Sequence, residues 1–465
     1  MSSQKEREVD LESPPLIEYL KQEIPLDEIR DYSSLKRLNS IDAVKGLAIL
    51  LIMIAHAGSV WFDKEWMFLY GVVYASIDFV GPSLFVFLSA LSVVFSVKKK
   101  KGKSSTRVIR TRIYSRGLMI IVIGLLINMF TPDQKYPFPL NLWGWNILMF
   151  IGFSQIFSYH ALRLKKYARA LIGAIIIFIS DPVRSFLYAE KDSNLGIWIL
   201  HYIITSPIPV IPLFPWLSIC FISTIFGESL SRTMEKGTKE AYKHLFRVIL
   251  AWGIFFVVFG VITGLDAKTP GSVNLEEYAH FELLDIANRQ NYNHYDGMWT
   301  FLIRGMFSNM WYNLGAALII IAISFYIIDI KLIKHKFISM LIYYGKVSLS
   351  LFLVHYTFLF LYIGRFNILM FLFVVISFLG LMGFFMYIWM EFFNGVGSPE
   401  WIMVQVGRIG QKTEEKTVEI VKKTEDFIVK ETKVISTKTE ELITKERKVL
   451  ADVKKKLKKP EEEKE

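Results

Sequence analysis

The sequence is nearly devoid of cysteine, and that absence narrows the class of protein. Its 465 residues include one, Cys220, which excludes a disulfide framework or a thiolate metal cluster. Residues 1–36 are charged and lack an apolar run, so we expect no cleavable signal peptide. No nucleic-acid-binding module is visible. The histidines and aspartates of residues 280–296 lack a recognisable ligand spacing, so we expect no bound metal.

Apolar residues are abundant instead. The composition is 53% hydrophobic and 15% aromatic, with a mean hydropathy of +0.37, which is typical of a polytopic membrane protein. An apolar helix of about 17 or more residues can cross a bilayer core of about 30 Å. We predict an all-α polytopic membrane protein with about ten transmembrane helices in one bundle, at residues 41–59, 74–97, 113–130, 142–160, 167–180, 212–230, 246–265, 310–329, 338–360 and 367–390.

Lysine and arginine concentrate in four loops, which indicates an orientation. The loops are KKKKGKSSTRVIRTRIYSR after the second span, LRLKKYAR after the fourth, SRTMEKGTKEAYKHLFR after the sixth and KLIKHK after the eighth. With ten spans all four lie on one side, which the positive-inside rule assigns to the cytoplasm. We therefore expect both termini in the cytoplasm, and the protein in the plasma membrane. Residues 195–210 are either a short span or a re-entrant half-helix, and the latter requires burial by protein.

The chain divides by composition into three parts. Residues 1–36 form a charged cytosolic segment, residues 37–410 the membrane domain and residues 411–465 a Lys/Glu/Thr-rich tail. The tail has an apolar residue at every seventh position, which predicts a cytosolic amphipathic helix. The positions are Val421, Ile428, Ile435, Leu442 and Val449. This helix either is a solvated tail, or self-associates into a homo-oligomer, or binds the membrane surface. The net charge of +11 belongs mostly to loops beside anionic lipid.

The stretch RLNSIDAVKGLAILLIMIAH (37–56) carries ionisable side chains at both ends of an apolar run. Lys45 and His56 would lie about 16 Å apart along a helix axis, on nearly the same face. Ionisable groups within a span face the bundle interior or an aqueous cavity by default. Lys45 could instead extend to the headgroups, and His56 could be an interfacial histidine. Their shared face favours a functional pair.

This stretch resembles a known family. The Lys-x10-His spacing is similar to the Arg-x10-His signature of acyltransferase-3 transmembrane acyltransferases, and residues 37–56 are closer still to the first span of heparan-alpha-glucosaminide N-acetyltransferase-like proteins. Other pieces resemble that family in order, and the resemblance extends over residues 37–408. They are DFVGPSLFVFLSALS (78–92), PLFPWLSICFISTIFGE (212–228), YYGKVSLSLFLVHY (343–356) and GSPEWIMVQVGR (397–408).

Two departures from the family pattern affect the predicted site. Lys45 stands where the acyltransferase-3 signature has arginine, so a bidentate phosphate contact is lost but the charge is kept. The loop after the first span, AGSVWFDKEWMFLYGVV, contains no histidine, whereas lysosomal members of the family carry their catalytic histidine there. The catalytic role therefore carries over to His56 alone.

The resemblance implies an acyltransferase that takes an acetyl or other short acyl group from cytosolic acetyl-CoA. The acceptor would be an amine or hydroxyl of an extracytoplasmic glycan or glycolipid. The phosphates of coenzyme A need a basic mouth on the inner face, and Lys45, Arg112 and Arg116 are the predicted donor-binding residues. The two arginines lie one helical turn apart and share a face. Arg107 and Arg110 are better explained by positive-inside signalling.

At the acceptor end, His56 is the predicted general base, because a histidine suits proton transfer near neutral pH. Asp78 is the carboxylate predicted to orient its ring. His355, Trp145 and Trp216 are predicted to bind the acceptor, the two indoles by stacking on a sugar. The alternatives are a histidine packed in the bundle and tryptophans of the interfacial belt.

The long polar loop 266–309 is the predicted acceptor-selecting surface. Two other classes of protein remain open. A multi-pass transporter or flippase commonly shows paired halves with interrupted helices, and no convincing repeat relates residues 37–230 to residues 246–408. A non-catalytic scaffold would present the cytosolic tail and would not depend on His56.

Overall fold

The computed structural model describes residues 38–100, 106–129, 139, 142–205, 211–269, 272, 278, 297–359 and 365–457. Within these ranges the fold is all-α, apart from one antiparallel pair of two-residue strands, β1 (Ala267–Lys268) and β2 (Met298–Trp299). The helices are α1 (Asn39–Trp61), α2 (Met67–Ser76), α3 (Pro82–Lys100), α4 (Thr106–Asn128), α5 (Ile147–Ala161), α6 (Lys166–Ala189), α7 (Leu195–Ile204), α8 (Leu213–Lys236), α9 (Lys239–Thr263), α10 (Phe307–Ser324), α11 (Lys336–Lys346), α12 (Ser348–Leu359), α13 (Ile368–Phe392) and α14 (Pro399–Leu457).

Eight segments of the described chain are long and apolar enough to cross a membrane. They contain α1, α3, α4, α6, α8, α9, α10 with the π-helical turn Phe325–Ile330, and α13. Helices α11 and α12 form a ninth candidate, broken at Val347 and bent by 86°. The all-α membrane class is thus supported, whereas the number ten is not. The predicted span at 338–360 is a bent pair, and the one at 142–160 is a helix of 15 residues.

The segment predicted to be a short span or a re-entrant half-helix contains α7. No residue of α7 is buried, and Leu195 is 71% exposed. Among the described residues, no element buries this helix as a re-entrant half-helix would require. Its last turn is held by the indole N–H groups of Trp143 and Trp145, which donate to the carbonyls of Tyr202 and Ile203. Residues 206–210 lie outside the described part of the chain.

The long helix α14 includes the predicted tail. The chain divides into two compact units between Arg408 and Ile409. In the second unit the described residues of the predicted apolar stripe, Ile435, Leu442 and Val449, are exposed. The cytosolic location of this helix and its self-association stay predictions.

Helix α1 lies against α11 at a distance that only glycine permits. A Cβ atom on Gly46 would lie 1.8 Å from the carbonyl oxygen of Leu341, and one on Gly345 would lie 1.8 Å from the carbonyl oxygen of Asp42. Small residues allow helix backbones to approach this closely in membrane proteins. The contact brings Lys45 and Lys346, each next to one of these glycines in sequence, to the same part of the bundle.

Candidate active site

The carboxyl-terminal end of α1 is fastened to α12 and to the start of α13. The indole N–H of Trp61 donates to the carbonyl of Leu359 at 3.2 Å, and the amide of Phe366 donates to the carbonyl of Trp61 at 2.7 Å. The Trp61 ring also packs edge-on against Phe378 at 5.2 Å. These contacts set the rotation of α1, so that His56 faces α12.

His56 meets a second histidine on α12. Its Nδ1 lies 2.8 Å from Nε2 of His355, and Nδ1 of His355 lies 3.0 Å from the carbonyl oxygen of Leu351. The Tyr356 hydroxyl is 3.5 Å from Nε2 of His56. His355 has no exposed surface. Since both of its ring nitrogens are engaged inside the protein, the predicted contact of His355 with the acceptor does not match its position.

Asp78 is not the partner of His56. Its two carboxylate oxygens accept from Nε of Arg304 at 2.9 and 3.0 Å, and Nη2 of Arg304 also donates to the carboxylate. Both side chains are at least nine-tenths buried. The expectation that Asp78 orients the imidazole is therefore corrected, because the arginine takes the carboxylate and the ring of His56 is held by His355.

Sequence reasoning missed Arg304. Burial alone would lower the pKa of its guanidinium, but Asp78 and Tyr74 raise that pKa above its ordinary value, so the side chain stays charged. Arg304 donates to the Tyr74 hydroxyl at 3.0 Å, and the Tyr74 ring stacks on Tyr70 at 5.6 Å. The signal available in the sequence is a single arginine between apolar residues in TFLIRGMF (300–307).

Tyr70 joins this cluster to α1. Its hydroxyl donates to the carbonyl of Ala55 at 2.5 Å, one residue before His56. The Arg304 charge is within electrostatic range of the His56 ring. The site around His56 therefore combines an imidazole pair, three tyrosines and a paired arginine. The tyrosines are Tyr70, Tyr74 and Tyr356.

A basic cavity of about 280 Å³ lies at the other end of α1. Three cationic side chains line it, Lys45, Arg116 and Lys346. Its remaining walls carry two carboxylates, several serines and an apolar surface. These residues include Asp42, Glu400, Ser89, Ser92, Ser96, Gln155, Phe85, Ile113, Ile120, Leu148, Ile151 and Phe352. The structure thus brings two of the three predicted donor-binding residues together, whereas Arg112 is not among the residues that line the cavity.

Glu400 connects the cavity to the helix that carries His355. Its carboxylate accepts from the amides of Leu349 and Ser350, both at 3.0 Å, and from the hydroxyl of Ser350. A carboxylate at this position caps the amino-terminal end of α12. Burial raises the pKa of the Glu400 carboxyl. The Ser-Pro-Glu-Trp segment (398–401) is part of the family resemblance, but neither Glu400 nor Lys346 carries a sequence signal that predicts its place at the cavity.

Phe352 lies between the basic cavity and the histidine pair. Its side chain lines the cavity, and its ring is 5.5 Å from that of His355 and 5.6 Å from that of Tyr356. Phe352 therefore contacts both the cavity and His355, the partner of His56. Lys45 and His56 both face the α11–α12 pair, at two depths along α1.

The predicted acceptor-binding tryptophans are inside the protein. Trp216 has no exposed surface, and Trp145 is 2% exposed and packs against Phe150 and Phe153. A sugar has no access to either ring face in this arrangement. Most of the loop 266–309, including residues 279–296, lies outside the described residues. Within the described ranges, no group of three or more His, Cys, Asp or Glu side chains is placed to hold a metal ion.

Comparison with known proteins gives one match. Residues 37–261 match the family described as heparan-alpha-glucosaminide N-acetyltransferase, catalytic. The matched segment contains Lys45, His56, Asp78 and Arg116, and the resembling segments at 343–356 and 397–408 lie beyond it. No curated protein matches the chain, and no solved structure does.

Proposed function

We propose that the chain, whose residues 37–261 match the heparan-alpha-glucosaminide N-acetyltransferase catalytic family, transfers an acetyl or other short acyl group across a membrane. The donor is cytosolic acyl-CoA, and the acceptor is an amine or hydroxyl of an extracytoplasmic glycan or glycolipid. One observation carries the proposal. A cavity with three cations and a histidine pair lie at two depths along the same helix, α1.

The basic cavity suits the donor. Coenzyme A carries several phosphate charges, and phosphates are bound by lysine and arginine through charge-assisted hydrogen bonds. Lys45, Arg116 and Lys346 converge from three helices, so they can surround an anionic group. The apolar wall formed by Ile113, Ile120 and Ile151 suits the pantetheine arm and short acyl chain. Phe352 must turn aside for the thioester to reach His56.

The histidine pair suits the acceptor. His56 lies about 16 Å from Lys45 along the helix axis, which is the order of distance an extended pantetheine arm covers. The imidazole takes the proton of the attacking amine or hydroxyl. The acceptor's lone pair forms the new bond to the acyl carbon, the carbon–sulfur bond breaks, and the imidazolium returns the proton to the coenzyme A thiolate.

A transfer assay tests the proposed function. Proteoliposomes containing the purified protein are supplied with radiolabelled acetyl-CoA on one side and with a panel of amino sugars and hydroxyl-bearing glycans on the other. Acetylation of at least one acceptor, dependent on protein and donor, is the expected result. Binding of coenzyme A without transfer to any acceptor would contradict the enzyme assignment.

Neutralising a cation of the basic cavity should weaken donor binding. Lys45→Met and Arg116→Gln each remove one charge-assisted hydrogen bond to phosphate, so each is expected to cost about 1–3 kcal/mol of binding free energy for coenzyme A. Calorimetry on the detergent-solubilised protein measures the loss. Arg110→Gln is the matched control, because Arg110 lies on α4, the helix that carries Arg116, and its side chain is exposed.

Arg112 tests whether an arginine of α4 must line the cavity to bind the donor. It was predicted from its spacing and does not line the cavity, so Arg112→Gln is expected to resemble Arg110→Gln. If Lys45→Met and Arg116→Gln bind coenzyme A as tightly as the control, the cavity is not the donor site.

The orientation is tested with single cysteines. Lys334→Cys, in the exposed basic segment before α11, and Asp192→Cys, in the exposed turn between α6 and α7, form a matched pair. An impermeant maleimide is expected to label position 192 in intact cells and position 334 only after permeabilisation. Cys220 is buried and supplies the unlabelled background. Labelling of position 334 in intact cells would contradict cytoplasmic termini.

A further inference from the structure

The two histidine rings meet edge to edge. They are inclined by 13°, with centroids 5.1 Å apart, and the distance between the facing nitrogens is 2.8 Å. Each facing nitrogen lies one ring radius from the centroid of its own imidazole. The centroid separation exceeds the nitrogen–nitrogen distance by about two such radii. The facing nitrogens therefore lie close to the line between the centroids, in nearly one plane. This is the geometry of a linear hydrogen bond between imidazoles.

The backbone determines which atom of His355 carries a proton. A carbonyl oxygen can only accept, so Nδ1 of His355 must donate to Leu351. In a neutral ring the other nitrogen, Nε2, then has a lone pair and accepts. A charged His355 would bring a cation into a site with no exposed surface. Its nitrogens there meet backbone groups of Leu351 and Phe352 and the imidazole of His56, none of which carries a compensating negative charge, and such burial is costly.

The same reasoning determines the tautomer of His56. Since Nε2 of His355 accepts, Nδ1 of His56 must carry the hydrogen that it donates across the 2.8 Å contact. The remaining nitrogen of His56, Nε2, then holds the lone pair. Among the described residues, the Tyr356 hydroxyl lies 3.5 Å from this nitrogen, a distance at which a hydrogen bond is weak.

We propose that His355 is a positioning residue that holds His56 in the Nδ1-protonated tautomer, with Nε2 as the atom that receives the acceptor's proton. The proposal rests on the proposed function and assigns His355 a different role from acceptor contact. During transfer Nε2 of His56 takes the acceptor's proton and later gives it to the departing thiolate. Nδ1 keeps its hydrogen throughout, and the bond to His355 strengthens while His56 is charged.

The tautomer is measured directly on the unsubstituted protein. In a nitrogen-15 spectrum of protein labelled at histidine, protonated and lone-pair ring nitrogens resonate in separate regions. The His56 signals are identified by their loss in His56→Gln. We expect Nδ1 of His56 in the protonated region and Nε2 in the lone-pair region at neutral pH. The reverse assignment would overturn the proposal, whether or not the protein transfers acyl groups.

Kinetics supply the second measurement. His355→Leu removes the acceptor for Nδ1 of His56 and is expected to lower kcat for acyl transfer about 10–100-fold, the usual effect of losing the group that orients a functional histidine. KM for acyl-CoA is expected to stay within about two-fold, since His355 does not line the basic cavity. His355→Gln retains an acceptor oxygen near the Nε2 position and is expected to recover most of the turnover.

The outcomes distinguish failure of the positioning role of His355 from failure of the proposed acyltransferase function. Turnover of His355→Leu equal to that of the unsubstituted protein overturns the positioning role while leaving the enzyme assignment intact. Equal losses in His355→Leu and His355→Gln also overturn it, because a general packing defect would not be relieved by the amide. If neither the unsubstituted protein nor any variant transfers acyl groups, the proposed function fails, and the nitrogen-15 spectrum still decides the tautomer.

Discussion

Replacing His56 by alanine is expected to lower acyl transfer about 10²–10⁴-fold, the usual contribution of a general base. Coenzyme A affinity is expected to change little, because His56 lies outside the basic cavity that Lys45 and Arg116 line. The measurement pairs a radiolabelled transfer assay with calorimetry on the same preparations. A loss of turnover with donor binding retained separates the chemistry from the phosphate site.

A second substitution distinguishes a loss of catalysis from a folding defect. His56→Ala leaves the buried Nε2 of His355 without a donor, which costs about 1–3 kcal/mol of stability. His56→Asn can still donate an amide hydrogen towards His355 but offers no basic nitrogen, so it is expected to fold better and remain inactive. His244→Ala, at an exposed position on α9, is the matched control. Turnover by His56→Asn equal to that of the control would remove His56 from the mechanism.

The part of the site that lies on one helix is predictable from sequence. Helical periodicity alone places Lys45 and His56 on one face at two depths, and in the structure both face the α11–α12 pair. The position of Arg116 at the cavity is consistent with its place in the amino-terminal half of α4. The all-α membrane class follows from composition, because only helices and closed barrels satisfy backbone groups within lipid.

The rest of the site depends on contacts between distant segments. Asp78 and Arg304 are 226 residues apart in sequence, and His56 and His355 are 299 apart. A single sequence does not show which of two candidates a carboxylate pairs with. Proximity in sequence favours His56 as the partner of Asp78, whereas the bidentate geometry of a guanidinium gives Arg304 the stronger pairing. The buried indoles of Trp145 and Trp216 are a second example. A tryptophan that stacks on a sugar and a tryptophan that packs in the core look alike in a single sequence.

Removing the charge of Asp78 is expected to destabilise the protein by about 3–5 kcal/mol, because Asp78→Asn leaves the guanidinium of Arg304 buried without its counter-charge. The free energy of unfolding in detergent, followed by tryptophan fluorescence, measures the loss. Asp266→Asn is the matched control. Asp266 pairs with Lys268 at 2.6 Å, but both side chains are exposed, so its loss is expected to cost less than about 1 kcal/mol.

The double variant Asp78→Asn with Arg304→Gln distinguishes a structural pair from a catalytic carboxylate. Two neutral side chains can bond to each other, so the pair is expected to recover much of the stability that Asp78→Asn loses, with a coupling free energy measured by the full cycle. If the pair only supports the site, acyl transfer should return together with stability. Stability close to that of the unsubstituted protein in Asp78→Asn, combined with complete loss of transfer, would instead place Asp78 in the chemistry, with the structural account of its pairing to Arg304 contradicted.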